Sequence, residues 1–268
     1  MGSTSTGRGD AWTSGDAYEA YIGRWSRVVA REFIPRLARP AGTAWLDVGC
    51  GTGALTAVIV TAADPSSVVG VDPSEGFLEV AAARLPDPRV RFVLGSGDAL
   101  PLDAASVDTA VSGLVLNFLP DPVAMLAEMR RVTRPGGVVA VYVWDYAGRM
   151  DLIRRFWDAA VALDPAAEAL DEGRRFPICA PEPLVDAAEA AGLRDPSAAA
   201  LDIETPFRDA DDLWVPFLST TGPAPGYVMG LDDDRRAALR RRFLASLPAG
   251  ADGPIRLLAR AWVLRASA

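Results

Sequence analysis

The stretch Trp45-Leu46-Asp47-Val48-Gly49-Cys50-Gly51-Thr52-Gly53 decides how this chain folds. A short β-rich run, 44–48, leads directly into glycines at alternate positions, and the residues from Gly53 onward carry a helical pattern. Glycine lets a backbone pass close beneath a ligand, and a helix N-terminus offers free amide donors to an anionic group. The stretch therefore reads as a nucleotide-type turn between a strand and a helix. It also satisfies the loose dinucleotide pattern through Gly49, Gly51 and Ala54, which keeps an NAD(P)- or flavin-dependent oxidoreductase as a rival class.

Outward from this turn, strands and helices alternate. Residues 67–71, 90–94, 107–112 and 138–144 read as further strands, and 53–63, 74–85 and 121–133 as helices, the last closed by Arg134-Pro135-Gly136-Gly137. Strict alternation predicts a doubly wound α/β fold with a parallel sheet and right-handed crossovers. Ahead of it, apolar residues at three- and four-residue spacing predict an amphipathic helix over 16–37. Behind it come helices over 150–163 and 184–191, a strand over 199–207 and a last strand over 255–264, a pair suited to closing one sheet edge in antiparallel fashion. The long insertion between those two strands predicts a substrate lid, mainly 206–253. The expected organisation is a flexible terminus (1–15), a helix covering the cofactor site (16–40), an α/β core (41–148), and the remaining helices, strand pair and lid (149–268).

Composition narrows the chemistry. The 268 residues are half hydrophobic, enough for a sizeable core. Acidic residues outnumber basic ones, 35 to 27, giving a net charge of −8 that disfavours a nucleic-acid partner. No apolar run is long enough to span a bilayer, and residues 1–10 are polar, so a cytoplasmic protein is expected. The two cysteines show no metal-ligand spacing, and no metal is expected. The chain contains no histidine and no lysine, which excludes Ser-His-Asp hydrolysis, histidine-ligated metals, Schiff-base chemistry and a Walker lysine.

In an open α/β sheet the ligand crevice lies at the carboxyl ends of the strands. Asp47, Asp72, Asp98, Ser112 and Trp144 with Asp145 stand where successive strands end, so they converge on one rim. Asp72, 19 residues beyond Gly53, is placed to take ribose hydroxyls.

Four ordered segments now carry a resemblance: Leu46-Asp47-Val48-Gly49-Cys50-Gly51-Thr52-Gly53, Gly70-Val71-Asp72-Pro73-Ser74, Gly97-Asp98-Ala99 with Leu100-Pro101, and Arg134-Pro135-Gly136-Gly137. They resemble the motifs of class I S-adenosylmethionine-dependent methyltransferases, nearest the small-molecule branch that includes the ubiquinone and menaquinone methylases. The resemblance implies a seven-stranded sheet whose last strand is antiparallel. It implies S-adenosylmethionine as cofactor, with Gly49 and Gly51 along its methionine part, Asp72 on the ribose and Asp98 with Ala99 at the adenine. Asp47, Cys50, Pro73, Ser74 and Gly97, inside the same segments, and Ser112, on the same rim, are further candidates for binding the cofactor. The front helix carries Tyr21-Ile22-Gly23-Arg24-Trp25-Ser26, similar to a segment in many members; Tyr21 and Arg24 are candidates for the cofactor, Arg24 through the methionine carboxylate. Where related enzymes often carry a histidine pair after the fourth strand, this chain has Leu116-Asn117-Phe118.

Trp144, Asn117, Phe176, Trp214, Phe217 and Tyr227 are the candidates for a pocket holding a small, apolar or aromatic methyl acceptor, although lid aromatics equally serve as lid core. Asp145 and Tyr146 are the candidates for handling the acceptor's proton, with a strand cap as the alternative role. A cofactor-binding module without catalysis is the third class to weigh.

Overall fold

The computed structural model describes residues 23–219, 222–247 and 254–268. Its seven strands lie in the order β3-β2-β1-β4-β5-β7-β6. The first five pair in parallel: β1 (Ala44–Val48), β2 (Ser67–Asp72), β3 (Val90–Leu94), β4 (Val107–Gly113) and β5 (Thr133–Trp144). β6 (Arg194–Phe207) and β7 (Ile255–Ser267) complete the sheet, and β7 runs antiparallel to both its neighbours. The strand order reverses between β1 and β4, which sets the topological switch point beside the glycine turn. β1, β2, β4 and most of β5 are buried on both faces, which is why they read as apolar runs rather than alternating ones.

The helices are α1 (Arg24–Arg36), α2 (Ala54–Ala62), α3 (Glu75–Arg84), α4 (Pro122–Val132), α5 (Asp151–Val161), the single turn α6 (Glu172–Arg175), α7 (Pro181–Ala190), α8 (Ala210–Trp214), α9 (Pro223–Met229) and α10 (Asp233–Ala245). Their starts follow from local chemistry. The Ser74 hydroxyl accepts the Phe77 N–H at the head of α3, and Asp121 accepts the Ala124 N–H at the head of α4. α1 lies against α2, and α4 against α7. Among the described residues no helix is long and apolar enough to cross a membrane.

The alternation read from sequence is present, with shifted boundaries. β5 begins at Thr133 instead of 138, because Thr133 already pairs with Val107 across an irregular register. α7 begins at Pro181 because proline fits a first helical turn, where its missing N–H costs nothing. β6 starts five residues earlier and β7 ends three later than their patterns suggest, since each extension pairs with the other strand. Residues 16–22 of the predicted first helix lie outside the described residues.

Two features shape the rim. Trp144 ends β5 opposite Ala261, yet β7 begins at Ile255 and pairs with β6 up to Phe207. The β6–β7 hairpin therefore projects past β5 by residues 255–260, roughly 20 Å at ~3.3 Å per residue. The chain leaving β5 is fastened to this arm: Asp145 N–H donates to the Arg260 carbonyl at 2.9 Å and Arg260 N–H to the Arg149 carbonyl at 2.9 Å. At the arm's tip, the segment predicted as a lid folds into α8, a 3-10 turn (Val215–Leu218), α9 and α10. α8 and α9, of five and seven residues, carry too few turns for a periodic signal.

Candidate active site

At the end of β1 the backbone enters three left-handed glycines, Gly49, Gly51 and Gly53, at φ +70°, +52° and +84°. L residues with a side chain rarely adopt such values. Gly49 N–H donates to the Val71 carbonyl at 2.7 Å, which stitches the turn to the end of β2. The two positions are closed differently. A Cβ on Gly49 would stand 2.5 Å from Val115 Cγ2, so Val115, just past β4, packs on the bare backbone of the turn. A Cβ on Gly51 would meet nothing within 4 Å, so this glycine faces open space.

Two carboxylates hold the turn. Asp72 is buried at the end of β2; its Oδ2 accepts Gly51 N–H and its Oδ1 accepts Ser74 N–H, both at 2.9 Å. Burial raises its pKa, opposed by the backbone hydrogen bonds from Ser74 and Gly51. Asp47 is deeper. The Thr56 hydroxyl donates to its Oδ2 at 2.7 Å, while its Oδ1 is buried without a hydrogen-bond partner. Desolvation pushes its pKa up to about 7, with Asp72 adding repulsion and Thr56 opposing the shift. Cys50 is buried with its Sγ over Gly70, and burial drives its thiol well above the ordinary range, so it is a packing residue.

Past β3, Asp98 and Ala99 are exposed, and the Ser96 hydroxyl bonds the Asp98 carboxylate. Gly97 approaches Val48 and Met125, which sets this turn beside the end of β1. Pro73 is exposed next to Asp72. Ser112 is at the rim of β4, but its hydroxyl donates to the Val48 carbonyl at 2.7 Å, a tie between two strands.

The other half of the rim follows β4 and β5. Phe118 and Phe176 meet edge-to-face at 5.3 Å between centroids, and Phe176 meets Tyr146 at 5.7 Å. Asn117 is buried between Leu116 and Phe118, and its Nδ2 has no hydrogen-bond partner. Trp144 is buried at the end of β5. Asp145 accepts Gly148 N–H and Arg149 N–H, one on each oxygen at 3.0 Å, and so acts as the cap of the turn after β5.

Several sequence candidates are not brought to this crevice. Trp214 and Phe217 are packed in a closed aromatic core, where Phe217 stacks on Phe156 at 4.5 Å and both meet Phe243. Tyr227 lies against Phe156 and Trp157 in the same cluster. Their spacing fits a core as well as a pocket, and α8, the 3-10 turn and α9 turn them inward. Arg24 is at the arm's tip: its guanidinium lies over the rings of Trp25 and Phe207 and pairs with Asp212 at 3.1 Å. The cavity of about 340 Å³ beside it is lined by Arg208, Asp209 and Asp212 and by no residue of the glycine turn. Tyr21 lies outside the described residues. Glu172, which no sequence signal marked, is buried with a pKa raised to about 7 by desolvation and accepts the Trp157 indole N–H. It opens α6, the turn that leads into Phe176.

A left-handed glycine turn at the switch point, with acids on the neighbouring strand ends, defines a nucleotide-type α/β protein. A family model described as a methyltransferase domain matches residues 46–141. Across most of its length the chain is 31% identical to trans-aconitate 2-methyltransferase from Methylobacterium radiotolerans, over 86% of this chain and 88% of that one. It is 37% identical to demethylmenaquinone methyltransferase from Lactococcus lactis over 40% of this chain, and that match spans 44% of the relative's length. The structure also resembles a methyltransferase-like protein from Bacillus halodurans, with a TM-score of 0.59 and 14% identity over 88% of this chain and 97% of that one. The chain belongs to the S-adenosylmethionine-dependent methyltransferases. The rim fits that cofactor on two features of its own: the open space at Gly51 and the unpartnered carboxylate oxygen of Asp47.

Proposed function

We propose that this methyltransferase acts on a small acceptor with an apolar or aromatic body, seated against Phe118, Phe176 and Tyr146, and that it works by positioning. In this reading the glycine turn receives the methionine part of S-adenosylmethionine, whose cationic ammonium offsets the buried Asp47 carboxylate. Asp72 takes the ribose and Asp98 with Ala99 the adenine.

The observation that carries the positioning mechanism is the state of Asp145. Both its oxygens are committed to backbone N–H groups, and the chain has no histidine. Methyl transfer is an in-line displacement at a sulfonium; the leaving thioether needs no acid, and the acceptor's lone pair forms the new bond to carbon. Holding the partners at near-attack distance and excluding water supplies the rate.

The test has two stages. Thermal unfolding is followed with S-adenosylmethionine, S-adenosylhomocysteine, NAD and NADP; a ligand at 100 times its Kd adds about 2.7 kcal/mol, and only the first two are expected to stabilise. Transfer of a labelled methyl group to a panel of small aromatic and carboxylic acceptors follows. Turnover is expected to rise with pH along the acceptor's own pKa, and Asp145→Asn to change the rate less than tenfold. Binding without transfer to any acceptor points to a non-catalytic module, and a thousandfold loss in Asp145→Asn with the cofactor still bound makes Asp145 a general base.

A further inference from the structure

The turn after β4 contains a polar group that its own packing leaves unsatisfied. Leu114 leaves the strand at φ +63°, Val115 presses on the bare backbone of Gly49, and Leu116 is anchored in the core. Phe118 N–H donates to the Val115 carbonyl at 2.9 Å, which closes one tight turn. Asn117 is thereby fixed in place, 8% exposed, with its Nδ2 buried and unpartnered. A buried donor without an acceptor destabilises the fold, whereas leucine, of similar size, carries no such cost. The next residue, Phe118, begins the aromatic wall that runs through Phe176 to Tyr146.

We infer that the Asn117 amide is the polar anchor of the acceptor, donating a hydrogen bond to a carbonyl or carboxylate oxygen of a molecule whose apolar body lies on the Phe118–Phe176 wall. The inference rests on the acceptor side assigned above and narrows it to oxygen-bearing acceptors. A site built around a donor discriminates against an analogue that lacks the oxygen, because the donor then stays buried and unpaired. An apolar wall alone would bind both about equally.

The experiment uses the full chain saturated with S-adenosylhomocysteine and two probes of similar shape, 2-naphthoate and 2-methylnaphthalene. Calorimetry of the parent is expected to show naphthoate bound at least tenfold more tightly. In Asn117→Leu that ratio is expected to fall to near one, while affinity for S-adenosylhomocysteine is unchanged and the unliganded melting temperature is equal or higher. Equal binding of the probes by the parent, binding of neither, or a ratio that survives in Asn117→Leu overturns the inference. A drop in melting temperature does so too, because it means the amide has a structural partner. Loss of S-adenosylhomocysteine affinity in Asn117→Leu assigns the amide to the cofactor instead. Failure of the parent to bind S-adenosylhomocysteine is a separate result that removes the cofactor reading itself.

Discussion

Asp72 shows how one side chain serves fold and ligand together. Its oxygens hold the glycine turn through Gly51 and the head of α3 through Ser74, on the rim where we propose that the cofactor's ribose binds. Asp72→Asn keeps the size but replaces one acceptor oxygen with an NH₂ group that opposes a backbone N–H. Each bond to the charged form contributes about 1.5–3 kcal/mol, so a fall of tenfold or more in S-adenosylhomocysteine affinity is expected together with a lower melting temperature. Calorimetry and a melt read the two effects separately; unchanged affinity removes Asp72 from the site. The two turn glycines are expected to divide the same effects. Gly51→Val puts a side chain into open space at a left-handed φ, so binding is abolished while strain of ~1–2 kcal/mol leaves most of the fold's stability. Gly49→Ala collides with Val115 and is expected to lower stability as well as binding. A Gly51→Val protein that binds with parental affinity makes that glycine structural only.

At the scale of elements, the short helices at the arm's tip and the wall beside the crevice use the same residue types for different ends. Phe217 is fully buried and stacked on Phe156, so Phe217→Ala is expected to cost ~3–5 kcal/mol in chemical denaturation. Phe118 is 37% exposed beside Phe176, so Phe118→Ala is expected to cost about 1 kcal/mol or less and to raise the acceptor's KM instead. The reverse pattern, an acceptor effect at Phe217 and a large stability loss at Phe118, exchanges their roles.

For the whole molecule, two buried carboxyl groups set a pH dependence of stability. Asp47 and Glu172 have folded pKa values raised to about 7 from 3.8 and 4.5. A raised folded pKa means the native state binds protons more tightly than the unfolded one, so stability falls as pH rises from the ordinary carboxylate range to about 7 and stays low above it. Glu172→Gln removes one such group and leaves a carbonyl oxygen for Trp157. The variant is expected to gain on the order of 3 kcal/mol at pH 8, with the gain shrinking as pH falls toward 4.5. Urea titrations at the two pH values check this, and a gain that does not vary with pH places Glu172 outside the linkage.

The alternating strands and helices, the glycine turn, the acids at successive strand ends and the antiparallel closing strand were legible in the sequence because each depends on local periodicity or on a backbone that only glycine tolerates. The family resemblance rested on the same segments. Which face an aromatic side chain takes is not local. Phe217 and Phe176 stand alike in sequence, yet Phe217 stacks in the core formed by α5 and α10, while Phe176 reaches Phe118 across the chain. The same holds for polar groups. Whether Asp145 is a base or a cap, whether Arg24 meets a ligand or Asp212, and whether the Asn117 amide finds a partner depend on what the fold brings within hydrogen-bond distance. Glu172 carried no signal, since a carboxyl group's ionisation is set by the apolar volume around it, and that volume exists only once α5 and α6 have packed together.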